Sequence, residues 1–131
     1  MANIGNWVDT TTVGETGLGF DQNATNWYIN GNIFHDIGRI GGRSYMDFDH
    51  GIYAKGSYAT ISNNIFYNMN KRWSIQVANG ATNWMIANNM FAFSSTGSGQ
   101  IMLWNSINGI SIINNIFTIR PVMPSRAIRQ A

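Results

Sequence analysis

The densest group of reactive side chains lies in residues 35–50, with the sequence HDIGRIGGRSYMDFDH. It contains two histidines, three aspartates, two arginines and one tyrosine. Imidazole, carboxylate and cationic groups are the ones that enzymes use to transfer protons and to stabilise developing charge. Because loops on a rigid scaffold carry function disproportionately, this segment is the first place to expect a site.

One reaction that suits these groups is the cleavage of an acidic polysaccharide by elimination. A lyase of this kind needs a cation beside the uronate carboxylate and a base that removes the neighbouring ring proton. Basic residues lie both within the segment and shortly after it. The candidate cations are Arg43, Lys55, Lys71 and Arg72, and the candidate bases are His50, Tyr53 and Lys55.

Hydrolysis of a glycosidic bond is the second reaction, and it needs two carboxylates about 5 to 9.5 Å apart. Asp47 and Asp49 would lie on one face if this part of the chain is a strand. The segment lacks a full set of calcium-binding acids, and whether the chain is an enzyme stays open. The catalytic candidates are thus Asp47, Asp49, His50 and Lys55, and the substrate-binding candidates are Arg43, Tyr53, Lys71, Arg72 and Trp73.

Two other interpretations compete with catalysis. In the first, the chain binds a sugar polymer without cleaving it, through aromatic rings exposed along its length. The rings considered for this role are Trp27, Tyr53, Tyr58, Tyr67, Trp73, Trp84 and Trp104. In the second, the chain is a structural protein, either a fragment of a larger surface protein or a homodimer that forms through an open end or a sheet face.

A zinc site formed by His35, Asp36, Asp49 and His50 is disfavoured, although these residue types bind zinc. A histidine in a loop more often bonds a nearby aspartate than a metal. The chain has no cysteine, which excludes disulfides and thiolate ligands. We therefore predict no metal and no cofactor.

The charge pattern restricts the partner. Charged residues make up 11% of the chain, against about a quarter in an average domain. All six acidic residues precede residue 50, and every charge after it is basic. Such asymmetry favours an anionic ligand or a second copy, but the basic residues are too scattered for nucleic acid. No apolar window predicts a membrane span, and no signal peptide is evident, so the location stays open.

The elements that must position these residues are visible as a fourfold repeat. The segments NWYINGNIF, YATISNNIF, NWMIANNMF and GISIINNIF start at residues 26, 58, 83 and 109, which are 32, 25 and 26 residues apart. In each, isoleucine is followed by asparagine three residues later and by phenylalanine five residues later. The equivalent residues are Ile29, Ile61, Ile86 and Ile112; Asn32, Asn64, Asn89 and Asn115; and Phe34, Phe66, Phe91 and Phe117.

A weaker apolar motif precedes each copy, starting at Leu18, Ile52, Ile75 and Ile101. Apolar residues alternate with period two, as at Ile75 and Val77, which indicates strands. Glycine, asparagine and serine recur at intervals too short for helices. A repeat of about 25 residues made of short strands predicts a solenoid, with one coil per repeat.

The segments ISNNIF, IANNMF and IINNIF, with HGIYAKG upstream, resemble the repeats of right-handed parallel β-helices of the pectate-lyase-like superfamily. The resemblance covers roughly residues 16–119. It implies three parallel sheets per coil and an asparagine ladder at the turn between the second and third sheets. It also implies a polysaccharide ligand, often an acidic one, whereas it carries little information about activity.

We therefore expect an all-β fold, a short right-handed parallel β-helix of about five coils with three parallel sheets. The repeated isoleucines and phenylalanines should form interior stacks, and the repeated asparagines a ladder. Residues 1–15 are expected to lead into or cap the first coil, residues 16–119 to form the β-helix, and residues 120–131 to form a tail that is a candidate cap. Residues 35–50 would then interrupt one coil.

Overall fold

The computed structural model describes residues 16–38, 49–69, 72–92 and 99–118. These residues form twelve strands and no helix, so none of them belongs to a helix that could cross a membrane. The strands are β1 (Thr16–Phe20), β2 (Tyr28–Asn30), β3 (Ile33–His35), β4 (His50–Ala54), β5 (Ser57–Ser62), β6 (Ile65–Tyr67), β7 (Ile75–Ala78), β8 (Thr82–Ala87), β9 (Met90–Ala92), β10 (Ile101–Trp104), β11 (Asn108–Ile113) and β12 (Ile116–Phe117).

Each strand pairs in parallel with the strands three places before and after it in the chain. The first sheet has the order β1-β4-β7-β10, the second β2-β5-β8-β11, and the third β3-β6-β9-β12. Three strands, one from each sheet, thus make one coil. The predicted parallel β-helix is confirmed, with four coils in the described residues where the sequence predicted about five.

The interior stacks follow the repeat. Ile29, Ile61, Ile86 and Ile112 are in register in the second sheet. The phenylalanine rings of the third sheet stack in sequence, with centroids 4.7, 5.0 and 5.0 Å apart between Phe34, Phe66, Phe91 and Phe117. The weaker motif is also in register, because Leu18 pairs with Ile52, Ile52 with Ile75, and Ile75 with Ile101. Both predicted stacks are confirmed.

The two adjacent positions of each turn, both of them asparagine in three of the four copies, have different structural roles. The first position, occupied by Gly31, Asn63, Asn88 and Asn114, has φ between 52° and 69°, the left-handed conformation that glycine and asparagine tolerate. The second position forms the ladder. Asn89 Oδ1 accepts bonds from the backbone N–H and the side-chain amide of Asn64, at 2.9 and 3.0 Å. Asn89 Nδ2 donates to Asn115 Oδ1 and to the Ile61 carbonyl, so its amide is fully bonded.

The tryptophans of the second sheet belong to the core. Trp84 is 1% exposed, and its indole N–H donates to the Gly56 carbonyl at 3.1 Å. Trp27 meets it edge to face at 4.6 Å across the small Ala59 and stacks on Phe20 at 3.8 Å. Trp27 and Trp84, two of the rings considered for sugar binding, therefore pack on the core instead of offering ring faces to a ligand. Both lie two residues before the interior isoleucine, and period-two alternation turns them inward.

Candidate functional site

Six of the nine residues that the sequence suggested lie at one corner of the first sheet. Pairing of Ile52 with Ile75 places the start of β4 beside the residues that precede β7. The backbone N–H of Gly51 donates to the Trp73 carbonyl at 3.2 Å, and that of Ile52 donates to Ser74 at 2.9 Å. The residues at this corner are Asp49, His50, Tyr53, Lys55, Arg72 and Trp73. Arg43, Asp47 and Lys71 lie outside the described residues, and with them the predicted pairing of Asp47 with Asp49.

Five of these residues form a continuous run of contacts, which we call the ring–cation cluster. The Arg72 guanidinium lies 5.0 Å from the Trp73 ring, and Trp73 stacks on His50 at 5.4 Å. His50 also stacks on Tyr53 at 5.6 Å, and Lys55 Nζ lies 5.5 Å from the Tyr53 ring. A cation therefore lies at each end of three aromatic rings, within the range of cation–π attraction.

The candidate residues differ in solvent exposure, and this affects which of them could reach a substrate. Asp49 is 0% and His50 2% exposed, whereas Tyr53, Lys55, Arg72 and Trp73 are only half-buried. A general base has to come within hydrogen-bond distance of the proton it removes. Asp49 and His50 are too buried for this role, and His50 packs against the Tyr53 and Trp73 rings. Tyr53 and Lys55 are more accessible, and the catalytic assignments stay predictions.

The outer face of the first sheet leaves one flank of Tyr53 open. Tyr53 alternates with the core residues Ile52 and Ala54 and therefore points outward. Its neighbour in β1 is Gly19, where a side chain would meet nothing within 4 Å. On the other flank, the Asn79 amide donates to the tyrosine hydroxyl at 3.3 Å. The tyrosine ring is thus held from one side and accessible from the other.

A second cluster, at the end of the third sheet, was not found from the sequence. His35 stacks on Tyr67 at 4.9 Å, and its Nδ1 lies 2.7 Å from Asp36 Oδ2. The amide of Asn68 donates to Asp36 Oδ1 from the next coil. The hydrogen bond with His35, followed by that from Asn68, lowers the pKa of Asp36 below the usual carboxyl value.

The repeat does contain the signal for this cluster. Asp36 and Asn68 each lie two residues after a stacked phenylalanine, and both have φ of 52°. His35 and Tyr67 lie one residue after it and are paired in β3 and β6. Extending the alignment two residues beyond phenylalanine would have placed these four side chains together.

We expect Asp36→Asn to reduce the loss of stability in acid. Because the pKa of Asp36 is lowered in the folded state, its contribution is complete above the ordinary carboxyl pKa of about 3.9 and is lost as the pH falls through the folded value. Asparagine tolerates the left-handed backbone and still accepts the bond from Asn68, so the variant removes mainly the charge.

Urea unfolding at neutral pH and near pH 3 tests this expectation. The variant should be less stable than the wild type at neutral pH and should lose less stability on acidification. Asn68→Gly keeps the left-handed conformation but removes the second donor, so it should reduce the acid dependence in part. An Asp36→Asn protein with the acid dependence of the wild type would contradict the assignment.

The four residues considered as zinc ligands do not form one site. His35 and Asp36 bond each other, while His50 packs against Tyr53 and Trp73. In the ranges that the structure describes, no three or more histidine, aspartate or glutamate side chains group as metal ligands.

The chain was compared with protein-family models, curated proteins and solved structures, and none of the three comparisons found a match. The resemblance to the pectate-lyase-like superfamily therefore remains an inference from the repeat residues.

Proposed function

We propose that the chain binds an acidic polysaccharide on the outer face of its first sheet, at the ring–cation cluster. The observation that carries the proposal is the unbroken run of contacts from Arg72 through Trp73, His50 and Tyr53 to Lys55. This arrangement offers apolar ring surface and positive charge together, and both are half-exposed apart from the buried His50.

The aromatic rings of the cluster suit the apolar face of an acidic sugar, and its cations suit the carboxylate of that sugar. Aromatic rings combine a large apolar face with a polar tip, and they contribute contact area at low entropic cost. A sugar ring presents C–H groups on one face. These can pack on the part of the Trp73 or Tyr53 ring that His50 and the neighbouring cation leave exposed. The Arg72 guanidinium can pair with a carboxylate through two parallel hydrogen bonds, whereas Lys55 acts as a compact point charge. Stacking on Trp73 limits the freedom of Arg72 before a ligand arrives.

The surrounding charge supports an anionic ligand. After Asp49 the chain contains no acidic residue at all, and Asp49 itself is buried. The exposed Asp21 follows β1 and lies beside Lys55 in the neighbouring coil, so it offsets part of the positive charge at that end. Lys55 and Arg72 attract an anionic polymer over about a Debye length. We expect binding to weaken as salt concentration rises.

Cleavage of the polymer is an additional possibility within this proposal. If the site is a lyase or a hydrolase, Tyr53 and Lys55 are the accessible groups of the cluster, and His50 would act through them rather than by touching the sugar. Binding does not depend on this step, so the two are tested separately.

The test is binding of the full chain to polygalacturonate, alginate and hyaluronan, with dextran as a neutral polymer, measured by calorimetry at low and high salt. Trp73→Ala and Arg72→Gln should each weaken binding to the acidic polymer about tenfold, the equivalent of about 1.4 kcal/mol. Tyr28→Ala is the matched control, because this ring is 65% exposed on the second sheet and should have no effect.

Three outcomes would count against the proposal. They are the absence of binding to every acidic polymer, equal binding to dextran, and equal weakening by Tyr28→Ala. Circular dichroism of each variant shows whether the coil is intact. Ultraviolet absorbance of unsaturated uronate products, followed in the same samples, reports lyase activity independently of affinity.

A further inference from the structure

A row of uncharged amide side chains continues from the ring–cation cluster toward the last coil. The Asn79 amide donates to the Tyr53 hydroxyl at 3.3 Å, and the Asn105 amide donates to Asn79 Oδ1 at 3.3 Å. Gln76 pairs with Tyr53 in the first sheet and lies between two core residues of β7, so its side chain points outward. We call Gln76, Asn79 and Asn105 the amide row.

The amide row keeps hydrogen-bonding capacity at the surface. Asn79 and Asn105 are both exposed, and each amide carries two donor hydrogens and two acceptor lone pairs. Within the part of the chain that the structure describes, each amide donates once, and its oxygen accepts once, from Asn105 or from Ser106. One donor and one acceptor position therefore remain on each amide, and a sugar hydroxyl or acetamido group can complement both.

The amide row differs from the ring–cation cluster in charge. The cluster contains Arg72 and Lys55, whereas residues 73–119 contain no charged residue. A carboxylate placed against the amide row would lose part of its hydration without gaining a cation. A neutral sugar would exchange hydrogen bonds to water for hydrogen bonds to the amides without that cost.

An exposed aromatic ring adjoins the amide row. Trp104 immediately precedes Asn105 and is 56% exposed. Its other neighbour, Leu103, pairs with the core residue Val77, so period-two alternation directs Trp104 to the outer face of the first sheet. This ring was among those considered for sugar binding, and it offers an apolar face to a second sugar beside the amides.

We infer, on the basis of the proposed function, that the preferred ligand is an acidic polysaccharide in which uronate residues alternate with neutral sugars. The uronate binds at the ring–cation cluster and the neutral sugar at the amide row. Neighbouring coils are about 4.8 Å apart, a rise similar to the length that one sugar adds to a polymer. Because the amide row begins one coil after Tyr53, adjacent sugars of one polymer can occupy both parts together.

Calorimetry of the full chain with two hexasaccharides tests this preference. The first is the hexasaccharide of hyaluronan, in which glucuronate alternates with N-acetylglucosamine. The second is hexagalacturonate, in which every sugar carries a carboxylate. At about 0.15 M salt, where long-range attraction between exposed charges is largely screened, the wild type should bind the hyaluronan hexasaccharide about tenfold more tightly.

Asn79→Gly and Asn105→Gly remove the amides but keep the left-handed backbone, because these asparagines have φ of 52° and 56°. Each variant should lower the affinity for the hyaluronan hexasaccharide about three- to tenfold and leave that for hexagalacturonate within about twofold. Asn88→Gly is the matched control, since Asn88 is also exposed and left-handed but lies in the turn between the second and third sheets. It should leave both affinities unchanged.

The possible results separate this preference from the proposed function. If no acidic ligand binds at all, both are wrong. If hexagalacturonate binds as tightly as the hyaluronan hexasaccharide or more tightly, the preference is overturned while binding of an acidic polysaccharide stands. Equal weakening of both ligands by Asn79→Gly and Asn105→Gly would also overturn it, because the amides would then only support Tyr53. Circular dichroism shows whether each variant is folded, and the wild-type comparison depends on no variant.

Discussion

Replacing Asn89 with alanine is expected to lower the free energy of unfolding by about 3 to 6 kcal/mol, since each buried group left without a partner costs about 1 to 3 kcal/mol. Asn89 is 1% exposed, and its side chain takes part in four hydrogen bonds across three coils. The substitution removes the acceptor of the Asn64 backbone N–H and of one Asn64 amide hydrogen, and it removes the amide donor to the Ile61 carbonyl. The Asn115 oxygen loses one of its two donors and keeps the Asn89 backbone N–H. Because water cannot reach most of these groups, little compensates for the loss.

Asn88→Gly is the matched control for this substitution. Asn88 is exposed and left-handed, with φ of 55°, a conformation that glycine adopts without strain. It should change the unfolding free energy by no more than about 0.5 kcal/mol, the usual range for surface substitutions. Urea unfolding of both variants measures the difference. Equal effects of the two substitutions would mean that the ladder does not contribute more than the turn itself.

The interior of this protein could be predicted because a parallel coil brings equivalent residues into contact. Once Ile29, Ile61 and Ile86 were aligned, their stack followed without knowledge of any loop. The register of Ile52 with Ile75 also places residues 49–50 beside residues 72–73. Residues one repeat apart in the sequence lie one coil apart along the axis of the β-helix. The repeat therefore determines both the core and the corner where the candidate site lies.

The burial of the candidate residues could not be predicted in the same way. His50 is a plausible base when judged from its type and its charged neighbours, but Tyr53 and Trp73 cover it. That packing accompanies a close approach of the next coil at Gly51 in β4, where an added side chain would meet the Ser74 carbonyl and the Met69 methyl group. A repeat pattern specifies register, whereas it does not specify the direction of a side chain at a corner.

The positive charge of the described residues is confined to one part of the β-helix. The described cations, Lys55 and Arg72, lie in the second and third coils, while the described residues of the last coil, 99–118, carry no charge.

Gly56→Ala is expected to destabilise the fold by about 2 to 5 kcal/mol, combining about 1 to 2 kcal/mol of backbone strain with about 1 to 3 kcal/mol of overpacking. Gly56 has φ of 89°, and an added Cβ would collide with the carbonyl oxygen of Ala24 in the preceding coil. That carbonyl already accepts a bond from Ser57, so it is not free to move. The Gly56 carbonyl in turn accepts from Thr82 and Trp84, which links the turn to the following coil.

Gly80→Ala is the matched control, because it introduces backbone strain at a positive φ without a collision of the added Cβ. Gly80 occupies the turn after β7 with φ of 80°, yet an added Cβ would meet nothing within 4 Å. It should cost only the backbone strain, about 1 to 2 kcal/mol. Thermal unfolding of the two variants compares these costs, and equal destabilisation would contradict the role of the Ala24 contact. Gly56 is next to Lys55 in the turn after β4, so Gly56→Ala should also weaken binding to polygalacturonate by displacing that lysine. Gly80→Ala should leave this binding unchanged, because Gly80 is not next to a cation of the cluster.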